Sequence, residues 1–166
     1  MARTKTTASA APASEEVREA FPADWTDIRG HAEIISRLRA LAAAKRLPHA
    51  LLFCGIEGVG KRRTAHVLVR TLLCETAGDA PCGHCGACRT MAAGVHPDYF
   101  EVAPEVRGKS AAMIRTDAVR DILVAASGAP VSADRRIILI DGADHMNEAA
   151  ANRLLKTLEE PAGAVL

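Results

Sequence analysis

One short glycine-rich stretch constrains this chain more than any other: residues 55–62, which read Gly-Ile-Glu-Gly-Val-Gly-Lys-Arg. An apolar run at 50–54 precedes it, and apolar residues at helical spacing follow it. Strand, glycine-rich loop and helix in this order are the setting of a phosphate-binding loop. Glycines allow successive backbone N–H groups to close around phosphate oxygens, and the helix N-terminus adds partial positive charge. The sequence therefore predicts a nucleotide-binding loop, with a plain glycine-rich strand-to-helix turn as the alternative.

The candidate nucleotide-binding residues of this loop are Gly55, Gly58, Gly60, Lys61 and Arg62. Lys61 supplies the full positive charge toward the terminal phosphates. Arg62 departs from the pattern, because a Ser or Thr normally follows the lysine and ligates Mg²⁺ through its hydroxyl, whereas a guanidinium has no lone pair to offer. Thr64, two residues further on, is not expected to substitute. ATP or ADP could still bind through Lys61 and the backbone.

A second candidate site residue is Asp141, which follows the apolar run at 137–140. A continuous run of this kind is typical of a strand buried on both faces of a parallel sheet, and ligands bind at the carboxyl edge of such sheets. Asp141 therefore fits the carboxylate that holds Mg²⁺, and a carboxylate that only ends a strand is the alternative. The next residue is Gly142, where ATPases of the AAA+ type normally carry the glutamate that activates water. With this base and the metal-ligating hydroxyl both missing, we expect hydrolysis to be depressed by several orders of magnitude.

The second strong pattern is a cluster of four of the five cysteines, namely Cys74, Cys82, Cys85 and Cys88. Closely spaced pairs allow one loop to wrap a Zn²⁺ ion with four thiolates, and the lack of a secretory signal favours metal over disulfides. We predict a structural zinc module at 74–88, because four cysteines leave no open position for catalysis. Free or redox-active thiols are the alternative, and His84 could replace one cysteine. Cys54 is predicted to be a buried small residue.

The charge balance gives no general attraction to nucleic acid or to a membrane surface, since the formal net charge is +1. The basic pairs at 62–63 and 135–136 are interpreted as solvated surface, with contact to nucleic acid as the alternative. No apolar stretch approaches the ~20 residues of a membrane span. Residues 1–20 are predicted to be a disordered tail, with a cleaved transit peptide as the alternative. The protein is expected in the cytoplasm.

Apolar periodicity divides residues 21–166 into the alternating helices and strands of one α/β domain. Helices are predicted from residue 30, from the loop to residue 73, and over 89–94, 114–127 and 147–160, with strands at 50–54, 99–102 and 136–141. One face of the helix after the loop is expected to be buried, and Asn147 is the predicted N-cap of the last helix. Residues 164–166 read as the start of a further strand, so we interpret the chain as a fragment of a longer protein.

Several stretches together resemble a known family. They are the Pro-His-Ala-Leu-Leu-Phe run at 48–53, the Gly-Val-Gly-Lys loop, the four cysteines, the His-Pro-Asp run at 96–98 and the Asn-Arg-Leu-Leu-Lys-Thr-Leu-Glu-Glu-Pro run at 152–161. In this order they resemble the AAA+ domain of bacterial DNA polymerase III clamp-loader subunits over about residues 25–166. The resemblance implies a P-loop AAA+ parallel sheet flanked by helices, with an inserted zinc module. Family members usually carry one more residue between the first two cysteines, which makes Cys74 the least secure ligand.

The resemblance also implies a function. Clamp loaders are hetero-pentamers of gamma/tau, delta and delta-prime subunits that place the ring-shaped sliding clamp on primer–template DNA, within a DNA-directed DNA polymerase (nucleotidyltransferase) holoenzyme. Arg62 and Gly142 favour the delta-prime branch, whose phosphate loop is often degenerate, over the gamma/tau ATPases. An arginine finger would then lie beyond residue 166. An active gamma/tau-type ATPase is one alternative, and a zinc-stapled P-loop nucleotide kinase is another, which the run at 152–161 disfavours.

Overall fold

The computed structural model describes residues 22–76, 78–106, 111–159 and 165–166. In chain order the elements are α1 (Ala32–Ala43), α2 (Lys61–Leu73), α3 (Gly86–Ala92), β1 (Tyr99–Val102), α4 (Thr116–Ala126), β2 (Ile137–Ile140) and α5 (Glu148–Glu159). Short 3₁₀ turns at Trp25–Asp27 and Ala143–His145 precede α1 and follow β2. This mixed helix-and-strand order confirms the predicted α/β class. The tail predicted at 1–20 lies outside the described residues.

The sheet is built around β2. It pairs in parallel with β1, and Val102 lies opposite Ile140 at the carboxyl ends. On its other edge, the N–H of Ile138 donates to the carbonyl of Leu166 at 2.9 Å, and the N–H of Leu166 donates to the carbonyl of Arg136 at 2.9 Å. Residues 165–166 therefore add to the sheet as predicted for a further strand. The small parallel sheet agrees with the prediction, although it is narrower than the full P-loop sheet.

The run at 50–54 is not assigned as a strand, contrary to the prediction. Leu51 and Phe53 pack against the cluster between α1 and α2, while Leu52 is 80% exposed, so the alternating burial of a strand is present. A strand also needs a neighbour that completes its ladder of hydrogen bonds. In the described residues β1 and β2 pair with each other and not with this run. Cys54 is exposed, so its predicted burial is wrong.

Helix α2 joins the two sides of the core. Val67 and Leu68 pack with Trp25 and α1 in one cluster. Val69 and Leu73 belong to a second cluster that includes Met91 of α3 and Ile137 of β2. The helix is therefore buried on opposite sides, because α1 covers one side and the sheet with α3 covers the other. The prediction of a single buried face described only part of this packing.

The last helix begins as predicted. The side-chain oxygen of Asn147 accepts from the N–H of Ala150 at 2.8 Å, which makes Asn147 the N-cap of α5. Thr116 at the start of α4 donates to the same oxygen at 3.2 Å and ties the two helices together. The apolar face of α5 is only partly covered, since Leu155 and Leu158 remain exposed. None of the helices in the described part of the chain has the length and apolar character needed to cross a membrane.

Arg136 is not the solvated surface residue that was predicted. Its guanidinium donates to the carbonyls of Ala125 and Ala129 and lies over the ring of Phe100. Carbonyls at a helix C-terminus lack partners within the helix, so Arg136 binds the end of α4 to the start of β2. Its side chain is 13% exposed.

A buried carboxylate joins β1 to the loop that leads into β2. Asp98 accepts hydrogen bonds from the N–H groups of Val131, Ser132 and Ala133 at 2.7, 2.7 and 3.0 Å, and from the Ser132 hydroxyl at 3.0 Å. Burial opposes its ionised form, but these donors outweigh burial and lower the pKa of Asp98. The carboxylate of the His-Pro-Asp run therefore holds together two segments that are distant in sequence.

Replacement of this carboxylate should destabilise the fold. We expect Asp98→Asn to lower the free energy of unfolding at pH 7 by about 2–4 kcal/mol, because buried donors lose a charged acceptor. Since the pKa of Asp98 is lower in the folded than in the unfolded chain, its ionisation stabilises the fold above about pH 4, and this contribution is lost as pH falls through the folded pKa. Urea unfolding should therefore show a smaller difference between variant and wild type at acidic pH.

Asp134→Asn is the matched control on the same loop. Asp134 pairs with Lys45 at 2.8 Å, but both side chains are largely exposed. Such surface pairs contribute at most about 1 kcal/mol. An equal loss of stability in the two variants would contradict the role assigned to Asp98.

Candidate functional site

The phosphate loop has the backbone conformation that its glycines permit. All three predicted glycines have positive φ angles, and Gly60, at φ 96°, is the N-cap residue directly before α2. An L-residue with a side chain is strained there, so the glycine allows the chain to turn directly into the helix. Lys61 folds back across the loop, and its Nζ donates to the carbonyls of Gly55 and Ile56, each at 2.9 Å.

Thr64 does not face the loop mouth. Its hydroxyl donates to the carbonyl of Gly60 at 2.9 Å within the helix, and the residue is buried. A hydroxyl bonded to the preceding turn is not directed toward a phosphate-bound metal. This geometry agrees with the expectation that Thr64 does not replace the missing metal ligand.

Arg62 reaches across the edge of the sheet to two carboxylates. Its Nη2 lies 2.7 Å and its Nε 3.2 Å from Oε1 of Glu101. The same Nε lies 3.3 Å from Oδ2 of Asp141. The structure therefore brings together the two site residues predicted on α2 and after β2, Arg62 and Asp141, and adds Glu101, which sequence reasoning missed.

The position of Glu101 follows from the parallel pairing of β1 with β2. Glu101 lies opposite Leu139, one residue before the end of β1, while Asp141 directly follows β2. Carboxyl ends of parallel strands meet at one edge of a sheet, so the two side chains converge on Arg62. An acidic residue next to the end of a predicted strand was the signal that could have identified Glu101.

Two further side chains fix Glu101. The hydroxyl of Tyr99 donates to Oε2 at 2.9 Å, and Nε2 of the buried His66 lies 3.4 Å from Oε1. Burial disfavours the ionised carboxylate, but hydrogen bonds from His66, Arg62 and Tyr99 outweigh it and lower the pKa of Glu101 to about 2. Burial and the adjacent carboxylate raise the pKa of Tyr99. Glu101 is therefore a charged acceptor at neutral pH.

These residues do not fit the Mg²⁺ ion that the resemblance implies. Hard divalent cations require oxygen ligands, and the position after Lys61 presents guanidinium nitrogens beside Asp141 instead. Arg62 can neither coordinate a metal nor lose its charge.

The backbone at Gly142 also disfavours a residue with a side chain at the position of the general base. It is left-handed, with φ 66° and ψ 50°, at the start of the 3₁₀ turn. A Cβ atom there would lie 3.1 Å from both Cδ2 of His145 and Cγ of Pro104. A glutamate at this position would be strained at this positive φ, and the side chains of His145 and Pro104 would have to shift by a few tenths of an ångström. The local backbone therefore opposes the residue that activates water in active AAA+ ATPases.

The four clustered cysteines converge on one point. Their sulfur atoms all lie within 4.8 Å of one another, with 3.9 Å between Cys74 and Cys85 and 4.0 Å between Cys82 and Cys88. Tetrahedral zinc with Zn–S bonds of about 2.3 Å places sulfurs about 3.8 Å apart. The four side chains therefore fit a tetrahedral metal ion, and Cys74 takes its place among them. His84 is directed instead to the carbonyl of Cys82.

The environments of the cysteines favour thiolate formation unequally. Hydrogen bonds from Thr76 and from the backbone at residues 84 and 85 lower the pKa of Cys82 to about 5. Burial raises the pKa of Cys88 to about 12. Because metals bind thiolates, metal binding would release a proton from Cys88.

The cysteine module is fastened to both neighbouring helices. Cys85 accepts from the N–H of Cys88 at the start of α3, and Glu75 accepts from the N–H of Ala87 at 2.8 Å. On the other side, Asp79 pairs with Arg39 of α1 at 2.6 Å. The module therefore bridges α1 and α3, which extends its structural role beyond the cysteine loop.

The comparisons with known proteins identify the family. A model of the family described as "DNA polymerase III, delta subunit" matches residues 30–166. The chain belongs to this family. It is 44% identical over 116 residues to DNA polymerase III subunit delta' of Pseudomonas aeruginosa, and 40% identical over 126 residues to that of Escherichia coli. These matches cover 69% and 75% of this chain but only 34% and 37% of the relatives. The chain thus spans about a third of their length.

The relatives also include tau subunits of DNA polymerase III. DNA polymerase III subunit tau of Escherichia coli is 34% identical over 141 residues, which is 84% of this chain and 21% of the relative. The predicted family is therefore confirmed, and both of its branches are represented among the relatives. The higher identity falls on the delta' side.

A substitution at Gly142 tests the constraint on its backbone. We expect Gly142→Ala to lower the free energy of unfolding by about 1 kcal/mol more than Gly94→Ala, measured by urea unfolding. Both glycines have similar positive φ angles, 66° and 72°, but a Cβ at Gly94 would meet nothing within 4 Å. The difference in the free energy of unfolding between the two variants therefore measures the effect of the contact with Pro104 and His145. Equal losses would show that this contact does not constrain the position.

Proposed function

We propose that this chain is the AAA+ portion of a clamp-loader subunit of the delta-prime kind, which helps to load the sliding clamp on primed DNA but hydrolyses little or no ATP itself. The family match over residues 30–166 and the identities of 40–44% to delta' relatives support the subunit assignment. The proposal that the chain hydrolyses little or no ATP rests on the contact of Arg62 with Asp141 at 3.3 Å. This contact lies at the position where an active site would hold its metal.

The missing chemistry involves two separate groups. Phosphoryl transfer depends on a positioned metal and an oriented nucleophile. Arg62 replaces the hydroxyl that would ligate the metal, and the left-handed Gly142 replaces the base. The loop formed by Gly55, Gly58, Gly60 and Lys61 could still bind the phosphates of ATP or ADP through backbone N–H groups and the lysine ammonium. Its role would then be structural.

The partners follow from the same proposal. A delta-prime subunit would assemble with gamma/tau and delta subunits in a hetero-pentamer in the cytoplasm, and would meet the sliding clamp and primer–template DNA through that assembly. ATP hydrolysis would take place on the gamma/tau subunits. The near-balanced charge of this chain agrees with a subunit that reaches DNA through an assembly.

An active gamma/tau-type ATPase remains the second candidate, because the match to tau extends over 84% of this chain. ATP turnover separates the two. We expect the chain alone to turn over ATP far more slowly than about one per second, the low end of typical phosphoryl-transfer enzymes. Lys61→Ala is the matched control, since a contaminating ATPase would persist in the variant. Turnover near one per second that depends on Lys61 would contradict the proposal.

For the cysteine module we propose a structural zinc ion held by Cys74, Cys82, Cys85 and Cys88. The spacing of the sulfur atoms and the lack of an open ligand position support zinc in a closed site. Zinc would link α1, α3 and the intervening loop, so part of the stability of the domain should depend on the metal.

Metal analysis of the chain purified in reducing buffer tests this proposal. We expect about one equivalent of zinc per chain, with loss of zinc and a lower unfolding temperature in Cys88→Ser. Cys54→Ser is the matched control, because Cys54 is exposed and outside the cluster. Less than about half an equivalent of zinc in the wild-type chain would contradict a closed four-thiolate site.

A further inference from the structure

The phosphate loop already contains a positive charge where AAA+ sites bind their metal. The guanidinium of Arg62 stands between carboxylates from two neighbouring strands, 2.7 Å from Glu101 and 3.3 Å from Asp141. Two carboxylates at the edge of a sheet repel each other unless a cation lies between them. In this chain the cation is covalently part of α2.

Glu101 has the properties of a residue that positions this cation. Its side chain is 21% exposed, compared with 43% for Arg62. The Tyr99 hydroxyl holds one of its oxygens at 2.9 Å, and His66 approaches the other at 3.4 Å. An acceptor fixed by two neighbours offers the guanidinium a defined position, because Nε and Nη2 of Arg62 both approach the same oxygen. Oδ2 of Asp141 lies 3.3 Å from the same Nε.

We propose that Arg62 is the fixed cation of this site and that Glu101 is the residue that positions it, so that the site functions without a divalent metal. The inference deepens the proposed function and rests on it only for the role of the loop. It adds a specificity: a phosphate-bearing ligand of this loop would bind as the metal-free anion, with Lys61 and the backbone N–H groups of the loop supplying the positive charge. Glu101 lies outside the motif by which phosphate loops are recognised, so its part in the site comes from the structure.

Removal of Arg62 should convert the site into one that attracts metal. Arg62→Ser leaves the carboxylates of Glu101 and Asp141 facing each other without their cation and supplies the hydroxyl that the loop pattern normally has. Oxygen ligands of this kind suit Mg²⁺ and Mn²⁺. The wild-type chain should bind neither ion at this place.

Mn²⁺ titration of the zinc-loaded chain, followed by the electron paramagnetic resonance of free Mn²⁺, tests the proposal directly. We expect Arg62→Ser to bind Mn²⁺ at least about tenfold more tightly than the wild type, and the double variant with Glu101→Gln to lose this gain. Arg63→Ser is the matched control, because it removes the same charge from the next position of the helix, about 100° around its axis. Wild-type binding as tight as that of Arg62→Ser, or an equal gain in Arg63→Ser, would overturn the proposal.

A measurement on the wild-type fold covers the case in which Arg62→Ser does not fold. The Nε–H resonance of Arg62 can be assigned by its loss in Arg62→Lys. We expect this proton to be protected from exchange with water. Its resonance should not shift when about 10 mM Mg²⁺ is added, since the ion has no vacant place beside Asp141. In Glu101→Gln the exchange of this proton should accelerate while the circular dichroism spectrum is retained. Displacement of the resonance by Mg²⁺, or unchanged exchange in Glu101→Gln, would overturn the assignment. Failure of the chain to assemble with a tau subunit would instead contradict the proposed function and leave both metal measurements unaffected.

Discussion

The parallel pairing of β1 with β2 is the interaction on which the rest of the structure depends. The pairing sets Glu101 and Asp141 side by side at one edge of the sheet, and α2 delivers Arg62 to the same edge. Asp98 reinforces this pairing from the opposite end, because its buried carboxylate holds the loop before β2 against the start of β1. Both ends of the strand pair are thus joined by carboxylates, one bonded to backbone N–H groups and the other to a guanidinium.

The proposal of a metal-free site rests on the electrostatics of the strand edge. In an active site, a divalent cation offsets the charge of the carboxylates and of the bound phosphates. Here Arg62 offsets the carboxylates permanently, and its charge cannot titrate away. Arg62 stands at the position of the hydroxyl ligand in the usual loop pattern and contacts both carboxylates. The glycines of the loop keep positive φ angles.

Local patterns predicted most of the fold. The helical periodicity after the loop, the apolar run at 137–140 and the N-cap at Asn147 all concern neighbours in sequence, and the structure agrees with each. The predictions that were wrong concern burial or pairing between distant residues. The strand predicted at 50–54 has the alternating burial but is not paired with β1 or β2, Cys54 is exposed rather than buried, and Arg136 binds the end of α4 instead of facing solvent. The site shows the same division, since its loop and Asp141 followed from motifs while Glu101 did not.

The sequence by itself determined the kind of elements, the glycine-rich turn into α2, the cluster of four cysteines and the two departures from an active ATPase pattern, because each depends on residue types at short spacing. Only the tertiary structure decided what those departures do. Contacts of Arg62 with Glu101 and Asp141 join residues 39 and 79 positions apart in sequence, and the restriction at Gly142 comes from Pro104, a residue beyond the end of β1. Such contacts depend on strand order and register, which place charges from separate segments within a few ångströms and make a substituted arginine the cation of its own site.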